Sequence, residues 1–200
     1  KSVEKNILNF NRTKDEVPGW MAPEIYREYL KTGNMTSILG VFYHNSIDVV
    51  SLCALLFAYV NVIANKSDLH KEYQTINYAL ARLHEKHDMN LSIQYYLTTI
   101  NQANIPDSIR ISALNGLSNI YKKAGNLDAA VVLWILASEL RDVKSIIELS
   151  KFYEHKVKDY KNALSWIEKG IEISKKNNNG FFIELSHRKD RIIKKWRSNE

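Results

Sequence analysis

Apolar residues recur at helical spacing along most of this chain, and the pattern predicts a mainly α-helical protein. Val3 to Phe10 suits either a short helix or an extended segment, and a loop with a Pro18–Gly19 turn follows it. The first clear helix comes next. Pro23 stands where a first-turn proline belongs, Ile25, Tyr26, Tyr29 and Leu30 share one face, and Gly33 is the stop. A longer helix is expected to begin at Asn45 or Ser46, either of which can cap it, and to run to about Ala64. Val49, Leu52, Leu55, Leu56, Tyr59, Val60 and Ile63 give it an apolar stripe so wide that it needs cover on more than one side. The residues before it are too few to supply that cover. Residues 1–66 therefore read as the C-terminal fragment of a domain whose remainder lies upstream, and the absence of an initiating Met agrees.

Residues 67–200 repeat a pattern. Helices are expected over Thr75 to Lys86, Ser108 to Lys123 and Val143 to His155, each followed by a second helix. Met89, Leu127 and Tyr160 occupy one column of those second helices, at offsets of 38 and 33 residues. Ser92, Ala130 and Ala163 form a small-residue column, and Tyr96, Trp134 and Ile167 a large one. Leu83, Tyr121 and Tyr153 stand six or seven residues before the first column. A small residue lets two helices approach, and a large one a turn later fills the neighbour's groove. Tyr78, Tyr96, Trp134 and Trp166 are accordingly read as packing residues. The pattern resembles the tetratricopeptide (TPR) repeat, with Ala124-Gly125-Asn126 as the turn between paired helices and Phe181 to Trp196 as a capping helix.

Composition narrows the class. An apolar fraction of 45% and a charged fraction of 25% describe an ordinary globular chain. The net charge of +6 is local, because Arg188 to Arg197 holds six bases and one acid. A solvated helix face explains that tail, and phosphate contacts by Arg188, Lys189, Arg191, Lys194 and Lys195 are the functional alternative. The single Cys53 fits a reducing cytoplasm and is expected to be a buried small hydrophobe. Val49 to Ala64 is the most apolar run. It contains Ser51 and Asn61 and is short for a membrane span, so a core helix is expected and no membrane partner. Asp159, Glu168 and Glu172 are expected to be solvated.

The chemistry concentrates in Val41 to Leu52. His44 and Asp48 lie four residues apart, which places both side chains on one helical side. A carboxylate there can bind a hard divalent cation, and an imidazole one turn away can accept a proton from water. If the helix begins at Asn45 or Ser46, Asp48 also benefits from its dipole. Alone, a His-x-x-x-Asp pair is weak evidence, and a capping Asp beside a hydrogen-bonded His is the plainer reading.

The flanking residues add a resemblance. Arg12, Asp15-Glu16, Pro18-Gly19, Pro23, Tyr26, Tyr29, Gly33, His44-Asn45, Asp48 and Ser51-Leu52 resemble, in order and spacing, the YprB-type RNase H-like family. That family is similar to the wider DEDD 3′–5′ exonucleases. The resemblance covers residues 12–55 and implies the following. Four carboxylates of the intact protein hold two Mg²⁺ or Mn²⁺ ions. Asp48 is the last metal ligand, and His44 is the general base or orients the water. Asn45 holds the nucleic-acid backbone or caps the helix. The family's Asp-x-Glu and its middle Asp precede the Pro-Gly loop, and the few residues before that loop here contain no Asp-x-Glu. The expected architecture is thus the C-terminal helical fragment of an α/β RNase H-like domain followed by an antiparallel TPR-like array. The 200-residue chain alone is expected to be inactive. Nucleic acid is the expected partner of the nuclease part and a protein that of the array. A non-catalytic scaffold with a nuclease-like remnant is the alternative. DNA or RNA as substrate, the array's ligand and the oligomeric state stay open.

Overall fold

The computed structural model describes residues 2–11, 17–64, 69, 73, 75–177 and 180–198. Among these the regular structure is helical, without a strand, and the chain divides into two compact units, Lys1–Leu69 and His70–Glu200.

The first unit contains α1 (Ser2–Leu8), a 3₁₀ turn (Gly19–Met21), α2 (Ala22–Thr32) and α3 (Thr36–Ile63). Pro23 sits in the first turn of α2, and Gly33 ends it in the left-handed region at φ 70°, as the pattern predicted. Both α1 and α2 pack on α3. Helix α3 departs from expectation at its start. It begins at Thr36, where the side chain of Asn34 accepts from the Thr36 N–H at 3.0 Å, and runs unbroken for 28 residues. Nothing between Thr36 and Asn45 stops a helix, since Gly40 only lowers its propensity. Asn45 and Ser46 are therefore interior residues rather than caps.

The apolar stripe of α3 is not buried. Val49, Leu52, Leu56, Tyr59 and Val60 are each more than half exposed, and Cys53 is exposed as well. This corrects the expectation of a buried helix and a buried thiol within this chain. The physical reason is the one legible in the pattern: α1 and α2 cover only part of the circumference. Among the described residues, α3 is also the one helix long and apolar enough to cross a membrane by length and composition, with 11% of its apolar window buried. The run is thus longer than the stretch Val49 to Ala64 suggested.

The second unit contains α4 (Ile76–His84), α5 (Met89–Asn101), α6 (Asp107–Lys123), α7 (Leu127–Glu139), α8 (Val143–Phe152), a π turn (Tyr153–Val157), α9 (Tyr160–Asn177) and α10 (Phe182–Arg197). Each helix packs against the next in chain order. The short connections make consecutive helices antiparallel neighbours. Ser92, Ala130 and Ala163 are fully buried, and Tyr96, Trp134 and Ile167 nearly so. At the first small position the Ser92 hydroxyl donates to the Ala81 carbonyl of α4 at 2.8 Å, which only a close helix approach permits. Tyr78, Tyr96 and Tyr121 join one cluster of the core and Trp134 and Trp166 another, so the aromatic residues do pack.

A capping column stands beside the packing columns. Asp88, Asn126 and Asp159 each precede the first-column residue, and each accepts a backbone N–H three residues on, at 3.0, 3.1 and 2.9 Å. Asp159 is therefore a cap rather than a merely solvated acid. Gly125 takes φ 80° in the turn before Asn126, a conformation that favours glycine.

Candidate functional site

His44 and Asp48 lie in the interior of α3, on its third and fourth turns, rather than at a helix entrance. Their i,i+4 spacing brings His44 Nε2 within 3.3 Å of Asp48 Oδ2. The His44 side chain is 17% exposed and that of Asp48 48%, so the carboxylate faces outward while the imidazole is held lower on the helix. This position removes the dipole argument for Asp48, because the macrodipole acts within the first turn. What orients the pair is helix geometry and the imidazole itself. Asn45 is exposed on the same helix and caps nothing.

Arg12, Asp15 and Glu16 fall outside the described residues. Pro18 and Gly19 are described, and the Met21 N–H donates to the Pro18 carbonyl at 2.9 Å to close the 3₁₀ turn. Among the described residues no group of three or more His, Cys, Asp and Glu side chains converges to hold a metal ion. Among the described residues of α3, Asp48 and His44 supply one carboxylate and one imidazole. Glu4 on α1 is a buried carboxylate of the same unit that the pattern did not single out.

The basic C-terminal helix is occupied internally. Glu154 lies in the π turn with its carboxylate fully buried. It accepts from Arg188 at 3.0 Å, Arg191 at 2.9 Å and Lys195 at 2.6 Å, all on α10. His155 Nε2 is 3.5 Å away. Burial raises the Glu154 carboxyl pKa, but the hydrogen bonds from Lys195 and Arg191 and the nearby positive charges outweigh it and hold the group below its ordinary value. Lys189 pairs with Glu168 at 2.8 Å, and Lys194 is exposed. The five candidate phosphate-binding residues thus share one helix, and four of them already hold carboxylates.

A groove that the sequence did not reveal runs along the second unit. It has a volume of about 570 Å³ and is lined from α4, α5, α6, α7, α8 and α10, with Arg82, Asn119, Lys122, Lys144 and Glu148 on its walls. Glu148 is held by Lys122 and by Lys151, the latter at 2.7 Å. Burial raises its pKa, while the two lysine hydrogen bonds outweigh that and bring it below the ordinary value.

Comparison with known proteins adds a family likeness. The RNase_H superfamily model RNase_H_2 matches residues 1–60, the stretch that contains His44 and Asp48. The chain is 32% identical over 174 residues to the "Uncharacterized protein YprB" of Bacillus subtilis (strain 168), across 85% of this chain and 41% of that protein. The chain therefore spans about two fifths of the length of the curated relative it matches. No solved structure matches it. The N-terminal region is thus similar to the RNase H superfamily, and the similarity to YprB extends beyond it into the helical unit that follows.

Proposed function

We propose that this chain is the C-terminal part of a metal-dependent 3′–5′ exonuclease of the RNase H-like superfamily, acting on nucleic acid. The observation that carries the proposal is the superfamily match over residues 1–60, which encloses an imidazole and a carboxylate 3.3 Å apart. Asp48 supplies one outward carboxylate of the metal site of the intact protein, for Mg²⁺ or Mn²⁺. His44 accepts or orients a proton beside it. Asn45, exposed one residue after His44, contacts the nucleic-acid backbone. Among the described residues, His44 and Asp48 do not by themselves fit a two-metal centre, since one carboxylate and one imidazole are too few donors for hard divalent cations. On this reading the other carboxylates come from elsewhere in the intact protein, and the 200-residue chain alone is expected to be inactive.

The uncovered stripe of α3 supports the same reading, because the superfamily match runs through that helix and a nuclease domain would cover it with protein rather than lipid. The protein would then act in the cytoplasm. The second unit serves as a TPR-like interaction array, supported by the buried small and large columns and the recurring cap. The basic helix α10 offers Lys194 and the outer parts of Arg191 and Lys195 to phosphate, as a minor contribution.

The test is nucleotide release from 3′-labelled DNA and RNA by the intact protein, with Mg²⁺, Mn²⁺ or chelator. Loss of activity in Asp48→Asn and His44→Ala, with folding retained, is the expected result. Full activity in Asp48→Asn overturns the ligand assignment. The second reading is a non-catalytic scaffold, favoured by the 570 Å³ groove, and an intact gene without an upstream Asp-x-Glu would select it.

A further inference from the structure

Beside the large groove is a smaller pocket of about 150 Å³ that shares Lys122, Trp134, Glu148 and Lys151 with it. Its walls differ in kind from those of the groove. Leu127, Trp134 and Phe152 supply an apolar floor, and Lys122, Lys151, His155 and Lys156 form the rim. Lys122 also lies over the Trp134 ring, 5.9 Å from its centroid. Three lysines and a histidine thus surround one carboxylate, Glu148, which two of those lysines already satisfy. Lys156 and His155 project from the π turn and are exposed. With His155 3.5 Å from Glu154, Lys156 is the charge left over at the rim of a small apolar hole.

We propose that this pocket and the adjoining groove bind an acidic polypeptide segment, with one apolar or aromatic side chain seated over Leu127, Trp134 and Phe152 and flanking carboxylates paired with Lys122, Lys151 and Lys156. The proposal takes the second unit as an interaction module and does not depend on nuclease activity in the first. A buried apolar anchor with charged neighbours at the rim is how a peptide gains both affinity and orientation. The neighbouring groove discriminates against a phosphodiester chain. Glu85, Glu148 and Glu184 line it, and a backbone charged at every step would meet all three. A peptide carries charge only where its sequence places it, and its neutral amides can bond to Asn119 and Ser112 on the groove wall.

Fluorescence polarisation on the full 200-residue chain tests this, with a labelled peptide of pattern acid–acid–Phe–acid–acid. Binding is expected to weaken at least tenfold when Phe is replaced by Ser, when the acids are replaced by Lys, and in Lys156→Glu, and to weaken with added salt. Lys122→Ala, with its helical circular dichroism compared to the parent, gives a second variant at the same pocket. Three results would each overturn the proposal. They are peptide binding no tighter than that of the basic control, binding indifferent to both variants, and a single-stranded oligonucleotide that binds more tightly than the peptide and loses binding in Lys156→Glu. Nucleotide release by the intact protein is read separately, so failure here leaves the nuclease proposal standing or falling on its own assay.

Discussion

Arg188 donates to the Glu154 carboxylate at 3.0 Å across 34 residues of chain, and this contact ties the last helix to the turn that ends α8. Arg191 and Lys195 grip the same carboxylate from the next turns of α10. The arrangement explains why a helix so rich in lysine and arginine stays folded against its neighbours. It buries Leu185 and Ile192 on one side and neutralises part of its charge on the other.

Glu154→Ala should therefore loosen α10 specifically. Removing one member of a buried ion cluster costs several kcal/mol, and the partial exposure of Arg191 and Lys195 reduces the expected loss here to about 2 kcal/mol. Urea unfolding gives the total, and hydrogen exchange should show α10 amides losing most protection. Unchanged exchange in α10 would contradict the assignment.

The same carboxylate predicts a pH dependence. Its folded pKa lies below the ordinary value of 4.5, so ionisation favours the folded state. That contribution is complete above the unfolded pKa and is lost as pH falls through the lowered folded value. Stability of the parent should then fall on acidification below about 4.5, with Glu148 adding to the slope, and Glu154→Gln should flatten the curve.

Gly116 on α6 is held to glycine by Tyr96 on α5. A Cβ at Gly116 would stand 2.5 Å from both Cζ and the hydroxyl oxygen of Tyr96, whose ring is buried and whose hydroxyl donates to Glu85. Gly116→Ala gains about 1 kcal/mol of helix propensity but overpacks a buried ring, and a net loss of about 1–2 kcal/mol is expected. The loss should shrink in a Tyr96→Phe background, where the clashing hydroxyl is gone. Additive effects in that double-mutant cycle would show that the two residues do not meet.

Asp142 joins two helices. It caps α8 by accepting the Ser145 N–H at 2.9 Å, accepts the Ser145 hydroxyl at 2.8 Å, and accepts Asn115 Nδ2 of α6 at 3.1 Å. Asp142→Ala should cost about 2 kcal/mol, more than the roughly 1 kcal/mol of a simple cap such as Asn126→Ala, because it also removes the acceptor of Asn115 Nδ2. Thermal melts of the two variants side by side measure the difference.

Helix α3 gives a prediction of opposite sign. Leu52 is 69% and Phe57 70% exposed, among many apolar neighbours on the same helix. The isolated chain should bind an apolar dye and associate in sedimentation. Leu52→Glu with Phe57→Glu should reduce both without lowering the unfolding midpoint of the second unit. In the intact protein the same pair should be strongly destabilising if the nuclease domain covers this face.

Much of the second unit was legible because its order is local. The small residues Ser92, Ala130 and Ala163 and the large ones Tyr96, Trp134 and Ile167 follow from helix periodicity, and both columns are buried in the folded chain, whereas the caps at Asp88, Asn126 and Asp159 emerged only from the structure. The spacing of His44 and Asp48 likewise fixed their meeting at 3.3 Å, since any helix through both would bring them together. The start of α3 was misread because Asn45 and Ser46 are good caps in isolation, whereas the 28-residue helix begins upstream at Thr36 and carries them inside. Tertiary structure alone decided three things. It folded the basic tail onto Glu154, a pairing across 34 to 41 residues that no spacing rule contains. It brought Lys122 of α6 to the same apolar pocket as Lys151 and Lys156, some thirty residues further on. It also decided which side chains of the α3 stripe α1 and α2 leave exposed, because burial depends on which surfaces meet a helix and not on the helix's own pattern.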